Sequence, residues 1–351
     1  VILSELYDSS ILVLTALTIF SSAATFPLLG TLFGTFYTAL AFSYLITPII
    51  ERKFHYGFAR MVYWLSFFCV GHTILYAPLL AAAYAVAAVT AQYVPIMGTL
   101  QLTLFALGVS LGLAIYGVAQ AHWIYTRKET IYLDVEEEFT AVHVSDLHLG
   151  AIWQKPRVEA LVQKVNSLDP DYVFLTGDVF DATGDPRKDW LQPLEGLPPT
   201  FASLGNHDGY YGADRVEELL EEVGVVVLRN RRVDFEGVAI VGVDDEEIPG
   251  QNPGYHIEAI RSPEKPSFLL YHRPEGAEAF KDSTHDVMLA GHTHNGQLYP
   301  MSILLHFLQE HVYGFFNLGD KALNVSSGVS TSGPPQRLGT MSEIVHLTIK
   351  N

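Results

Sequence analysis

Between residue 1 and Trp123 the chain carries only Arg52, Lys53 and Arg60 as cations and Glu5, Asp8 and Glu51 as anions. Of its 21 Lys plus Arg and 38 Asp plus Glu, 18 and 35 lie downstream, so the formal net charge of −17 belongs entirely to the later part. The two parts are built for different solvents. Within the first, residues 11–29, 32–50, 62–89 and 100–120 are each close to the run of about 20 apolar residues that crosses a hydrocarbon core. Core helices of a soluble domain would show a charged face every 3.6 residues, and these show none. A cleaved signal peptide fits poorly, because no basic segment precedes the first run and three more runs follow it. Pro27 and Gly30 suit a tight turn between the first two spans. The chain opens on Val1, which leaves open whether residues precede it.

Orientation follows from the few cations. Arg52, Lys53 and Arg60 fall between spans two and three, and Arg127 and Lys128 follow span four, whereas the connections near Gly30 and at 92–99 carry no Lys or Arg. Two spans separate the basic sites, so they share a side, and the positive-inside rule makes that side the cytoplasm. The expectation is an integral, multi-pass protein of an inner or plasma membrane with its polar part cytoplasmic. Cys69, the one cysteine, can form no intrachain disulfide. His72, inside span three, is expected to be a neutral imidazole bonded to a neighbouring helix rather than a functional group, and His55 a solvated loop residue.

Downstream of Glu138 the pattern changes to short apolar runs ended by polar residues or glycine, at 141–144, 172–175, 200–204, 238–243, 267–270, 287–289 and 344–349. These predict buried strands. Helical patterns at 155–167 and 214–223 intervene, giving an alternating α/β order. The stretch 126–138 is short and charged and predicts a juxtamembrane linker.

Chemistry-bearing residues gather where these strands run out. They are Ser145-Asp146-Leu147-His148, Gly177-Asp178-Val179-Phe180-Asp181, Gly205-Asn206-His207-Asp208, His272 and Gly291-His292-Thr293-His294. Asp, His and Asn with no cysteine suit a hard or borderline divalent ion such as Mn²⁺, Fe²⁺ or Zn²⁺. Two such ions about 3.5 to 4 Å apart would share a hydroxide and clamp the attacking and leaving oxygens of an in-line displacement at phosphorus. One D-x-H pair is weak evidence; several such segments in this order are not.

The order and wording of these motifs resemble the calcineurin-like metallophosphoesterases over residues 139–351. The resemblance implies two sheets packed face to face with helices outside. It assigns Asp146, His148, Asp178 and His294 to one metal, and Asn206, His272 and His292 to a second, with Asp178 bridging. It makes His207 a general acid toward the leaving group, with Asp208 fixing its tautomer. Asp181 is then an orienting carboxylate rather than a ligand. Asn295 stands where close relatives of the family often have glycine, which puts only the local loop conformation in doubt.

The expected architecture is thus an N-terminal α-helical transmembrane bundle of about four spans (1–125), a linker (126–138) and an α/β metallophosphoesterase domain (139–351) of two sheets flanked by helices. The expected activity is membrane-anchored, dinuclear-metal hydrolysis of a phosphate ester or anhydride. Its partners would be the lipid bilayer and a phosphorylated small-molecule or lipid substrate. Membrane attachment favours a lipid-linked substrate. The alternatives are a phosphodiesterase of soluble nucleotides, or a membrane sensor or scaffold with a degenerate enzyme domain. The acidic charge balance argues against polymeric nucleic acid, and no protein partner can be inferred. Two later stretches stay open. The apolar run from Ser302 to Phe316 suits a lipid groove or a short core helix, and Arg337 a phosphate contact or, more in keeping with its loop, a surface salt bridge.

Overall fold

The computed structural model describes residues 34, 35, 37–40, 42, 43, 57–90, 98–181, 183, 187–261 and 266–351, and the chain divides into two units. The first comprises Val1–Gln120 together with Leu298–Met301 and Gly333–Gly339. Its described helices are α1 (Gly57–Thr90) and α2 (Thr99–His122). Both are long and apolar enough to cross a membrane. Each leaves large apolar side chains exposed, among them Phe58, Met61 and Val86 on α1 and Leu104, Phe105 and Ile115 on α2. The expected spans at 11–29 and, for the most part, 32–50 lie outside the described residues, as do Pro27, Gly30, Arg52, Lys53 and His55.

Two short segments from far along the chain belong to this helical unit, which the sequence did not suggest. Leu298 is buried with Cys69, Val70 and Ile74. Gln336 donates from Nε2 to the Phe68 carbonyl at 3.1 Å, and the Arg337 amide donates to Gly117 at 3.0 Å. A Cβ on Gly71 would collide with Gln336. Arg337 is fully buried, so the expectation of a surface salt bridge is wrong.

The second unit comprises Ala121–Gln297, Ser302–Ser332 and Thr340–Asn351. It runs β1 (Ile124–Tyr132), β2 (Phe139–Val144), α3 (Lys155–Asn166), β3 (Tyr172–Thr176), α4 (Lys188–Leu191), β4 (Thr200–Ser203), α5 (Asn206–Tyr211) and α6 (Ala213–Glu221). Then follow β5 (Val226–Val227), β6 (Arg231–Phe235), β7 (Val238–Val243), α7 (Pro253–Ala259), β8 (Ser267–Tyr271), α8 (Ala277–Asp282) and β9 (Val287–Ala290). The chain ends in α9 (Met301–Leu308), β10 (Gly314–Leu318), β11 (Lys321–Val325) and β12 (Ser342–Lys350). The apolar runs read from sequence all became strands.

The strands form two six-stranded mixed sheets, ordered β1-β12-β2-β3-β4-β5 and β10-β11-β9-β8-β7-β6. Side-chain alternation explains why they stack. Phe174 of β3, Ile240 of β7 and Phe268 and Leu270 of β8 share the core between the sheets. Their neighbours in sequence turn outward: Val173 and Leu175 meet Val158 and Leu161 of α3, and Val241 and Leu269 meet Ile257 of α7 and Phe280 of α8. Strands β3, β4, β7, β8 and β9 are buried on both faces, which is why they read as continuous apolar runs.

The stretch expected to be a linker is different. Ile124–Tyr132 is strand β1, parallel to β12 in register from Ile124↔Ser342 to Tyr132↔Lys350. Its charged appearance comes from an edge strand that turns one row of side chains to solvent. Arg127 donates to Glu343 and Asn324 rather than standing free.

Candidate metal centre

Parallel strands β2, β3 and β4 of one sheet and β8 and β9 of the other deliver the seven candidate ligands in the loops at their C-terminal ends, the usual place for a site in open α/β sheets. The loops are laced together. The Asp146 amide donates to Gly177 at 3.1 Å, His148 to Asp178 at 3.0 Å and Gly291 to His272 at 2.9 Å. Glycine precedes three of the ligands for lack of room: a Cβ on Gly291 would strike Ser145 and Asp146, and one on Gly205 would strike Asp178. Five of the ligands hold left-handed backbone: Asp146 (φ 57°), His148 (44°), Asp178 (52°), His292 (68°) and His294 (49°). Non-glycine residues rarely adopt this conformation, and it clusters at functional sites because tight packing there overrides the strain. Asn295 also sits there, at φ 54° and ψ 31°. Asparagine tolerates that region, so the loop turns here without a glycine at position 295.

The ligand atoms collect into two groups, Asp146 with His148 and His294, and Asp178 with His272 and His292. In the first, His148 Nε2 and His294 Nε2 lie 3.0 Å apart and 3.7 and 3.4 Å from Asp146 Oδ1. In the second, His292 Nδ1 is 3.2 Å from His272 Nε2, which is 3.1 Å from Asp178 Oδ2. That same Asp178 oxygen lies 3.6 Å from His148 Nε2, so the carboxylate stands between the groups. Asn206 Oδ1 is buried without a hydrogen-bond partner. Buried lone pairs converging on one another, one amide oxygen left over and acceptor-only carboxylates among them are a donor set that fits cations.

The histidines are held from behind. His272 Nδ1 donates to the Thr176 carbonyl at 2.7 Å, and His148 Nδ1 to Asp181 Oδ1 at 3.2 Å, leaving each Nε2 for the site. This is the ordinary way an outer group fixes a ligating imidazole. Burial alone would lower His148 and His272, but the surrounding carboxylates, Asp146, Asp181 and Asp178 foremost, push each up to about 10. Burial works the other way on Asp146 and Asp178, and the histidines nevertheless hold both below the usual carboxylate range. Positive charge is thus stabilised at His148 and His272, whereas burial and then the neighbouring His272 and Arg273 hold His292 well below the ordinary imidazole range.

Asp208 departs from expectation. Its Oδ1 accepts from the Val179 and Phe180 amides at 3.0 and 3.2 Å, and its Oδ2 from Gly205 at 3.0 Å. It caps α5 and ties down the loop after Asp178, and it makes no hydrogen bond to His207 Nδ1. His207 Nδ1 has no hydrogen-bond partner, and the carboxylate facing it is Asp181, at 3.9 Å. His207 is half-buried beside His148, with ring centroids 4.8 Å apart.

Sequence reasoning missed Tyr210, Glu247 and Arg273, which extend from the second group. Tyr210 accepts from Asn206 and donates to Glu247, which accepts from Arg273, the residue after His272. The only sequence signal was proximity of Tyr210 and Arg273 to motif residues.

Residues 139–296 match the model of the family described as calcineurin-like phosphoesterase. An uncharacterized metallophosphoesterase of Aquifex aeolicus is 32% identical over 252 residues, covering 64% of this chain and 95% of that relative. One from Helicobacter pylori is 33% identical over 233 residues, covering 63% of each. A Danio rerio relative named "Transmembrane protein with metallophosphoesterase domain" is 29% identical over 285 residues, covering 72% of this chain and 64% of that relative. This chain therefore spans less than two thirds of the Helicobacter pylori and Danio rerio proteins. Matched motifs, a ligand cluster at the strand ends and near-complete coverage of the Aquifex aeolicus relative place the chain in the calcineurin-like metallophosphoesterase family.

Proposed function

We propose that the chain is a membrane-anchored phosphoric ester hydrolase that uses two divalent ions, with an amphipathic phosphate ester or anhydride as substrate. The observation that carries the two-ion reading is the Asp178 carboxylate, 3.1 Å from a histidine of one ligand group and 3.6 Å from a histidine of the other. Asp146, His148 and His294 would hold one ion, His272, His292 and Asn206 the other, and Asp178 both. Bound there, the ions would supply an activated nucleophile and neutralise charge on phosphorus. His207, half-buried with an unpartnered Nδ1, is suited to deliver a proton to the leaving oxygen. Asp181 would steady His148, and Asp208 the loop that carries Asp178. A degenerate scaffold is disfavoured because all seven ligand positions carry donors. Mn²⁺, Fe²⁺ and Zn²⁺ all suit them.

Membrane anchoring is supported by α1 and α2 and by the name of the Danio rerio relative. Two spanning helices return the chain to the side where Arg60 lies, so the catalytic domain is assigned to the cytoplasm. A reporter active only in the cytoplasm, fused after Asn351, should then be active; an active export-dependent reporter overturns the assignment.

The amphipathic substrate is supported by α9, which begins four residues after Gln297 in the chain. Ile303, Leu304, Phe307 and Leu308 are all exposed, Phe307 by 83%, and Ser302 is the helix's buried residue. That is not the burial of a core helix, and a short apolar face in water suits acyl chains or a bilayer surface. The test is the full-length protein in nanodiscs with Mn²⁺, assayed against lipid-linked phosphates and soluble nucleotides. Replacing Leu304 and Phe307 by serine is expected to raise KM for the lipid-linked phosphate and spare a small ester. Preference for soluble nucleotides, unaffected by those changes, overturns the lipid reading in favour of a nucleotide phosphodiesterase.

A further inference from the structure

An asparagine can serve a cation only through its oxygen, and which end of the amide faces the site is decided by its neighbours. Asn206 Nδ2 donates to the Tyr210 hydroxyl at 3.3 Å, and Oδ1 is the buried atom without a partner. Tyr210 in turn donates to Glu247 Oε2. Glu247 accepts at its other oxygen from Arg273 at 2.6 Å, and Arg273 Nε donates to Asp245 at 2.7 Å.

These bonds have a direction. A carboxylate gripped by a guanidinium only accepts, so the single Tyr210 proton is committed to Glu247. The tyrosine oxygen can then only accept, and the group it accepts from must be the Asn206 NH₂. The oxygen is thereby turned away from Tyr210. We propose that Tyr210 is a positioning residue that fixes the Asn206 amide with Oδ1 toward the second ion, its own polarity set by Glu247 and Arg273. The inference rests on the two-ion reading. Arg273 directly follows His272, so the chain of bonds ties together two ligands of the same ion, one from a loop of each sheet. The ring of Tyr210 also lies against His207, with centroids 5.2 Å apart, a contact that phenylalanine would keep.

The test is Mn²⁺ titration of the metal-stripped, full-length protein in detergent, by calorimetry with elemental analysis of the loaded protein. The wild type should take up two ions. Tyr210→Phe, at a side chain 53% exposed, should leave one affinity intact and weaken the other about 10- to 100-fold, as expected for loss of an outer partner. Asn206→Asp supplies the discriminating background, because either oxygen of a carboxylate serves and orientation ceases to matter. Adding Tyr210→Phe to Asn206→Asp should change neither affinity. Wild-type affinities in Tyr210→Phe overturn the inference, as does an equal loss in the Asn206→Asp background, which would mean that Tyr210 acts on the fold of the loop. A wild type that binds one ion overturns the two-ion reading itself, and the inference falls with it.

Discussion

Buried histidines occur in both units, and their surroundings differ in kind. In the helical unit, His72 has a neutral partner at each ring nitrogen: the Tyr37 hydroxyl at 2.9 Å from Nδ1 and Ser110 Oγ of α2 at 2.9 Å from Nε2. In the second unit, His148 and His272 are each tied at Nδ1 to an oxygen outside the cluster, and their Nε2 atoms meet other imidazoles and a shared carboxylate. A histidine whose donor and acceptor are both matched is doing structural work. One that is matched on one side and faces like atoms on the other is arranged for something that sits between them. Five of the candidate ligands also hold left-handed backbone, whereas His72 lies within α1.

The most drastic way to break this contrast is at Asp178. Asp178→Asn should disturb both ions and take phosphatase activity to background, because one carboxylate faces both groups. His207→Ala should keep metal content and lower turnover about 10²- to 10⁴-fold for a poor leaving group. Elemental analysis beside the assay separates the two. A His207→Ala protein emptied of metal would make that residue a ligand, as its place beside His148 and Asp181 allows geometrically.

Acidity gives a second, graded test. His148 and His272 sit at about 10 against an ordinary 6.5. In the metal-stripped protein their contribution to stability is therefore complete below pH 6.5 and lost as pH rises through 10. Asp146 and Asp178, held below the ordinary 3.8, contribute above that value and lose their contribution as pH falls toward their folded values. Metal-stripped protein should thus unfold at lower temperature at pH 9 than at pH 6. Ion binding runs the opposite way, since ligating imidazoles must give up their protons. Loading near pH 7 should release about two protons, and apparent affinity should climb with pH. Calorimetry in two buffers of different ionisation enthalpy measures that number. Zero release would mean that the histidines are already neutral and the charge balance has been misjudged.

How much of this was legible beforehand follows from how each feature is encoded. The buried strands were, because strands covered on both faces read as uninterrupted apolar runs. The gathering of the candidate ligands at strand ends was, because side chains there keep fixed local spacing. The reach of the second unit was misjudged at β1, where alternating exposure makes an edge strand look like a charged linker. The role of Asp208 was misjudged for another reason: capping depends on which amides the fold brings to its oxygens, Val179 and Phe180 from a different loop. The placement of Gly333–Gly339 with the helices, and the Tyr210 to Arg273 chain, rest on pairings between distant segments that local patterns cannot encode.

The smallest expected effect returns to His72. Replacing it by alanine leaves Ser110 Oγ without its imidazole partner and removes one of the contacts of the Tyr37 hydroxyl, which also bonds to the Cys69 carbonyl and Thr73. Polar pairs within membrane helices average about 0.6 kcal/mol, and buried hydrogen bonds generally about 1 kcal/mol. His72→Ala should therefore cost on the order of 0.5 to 2 kcal/mol in resistance to unfolding in detergent. Ion stoichiometry, ion affinities and turnover on a small soluble ester should stay at wild-type values, because neither ring nitrogen of His72 is left open to a ligand. A change in any of those three with the fold intact would show that this histidine takes part in the chemistry, and that saturated hydrogen bonding is not a safe mark of a structural residue.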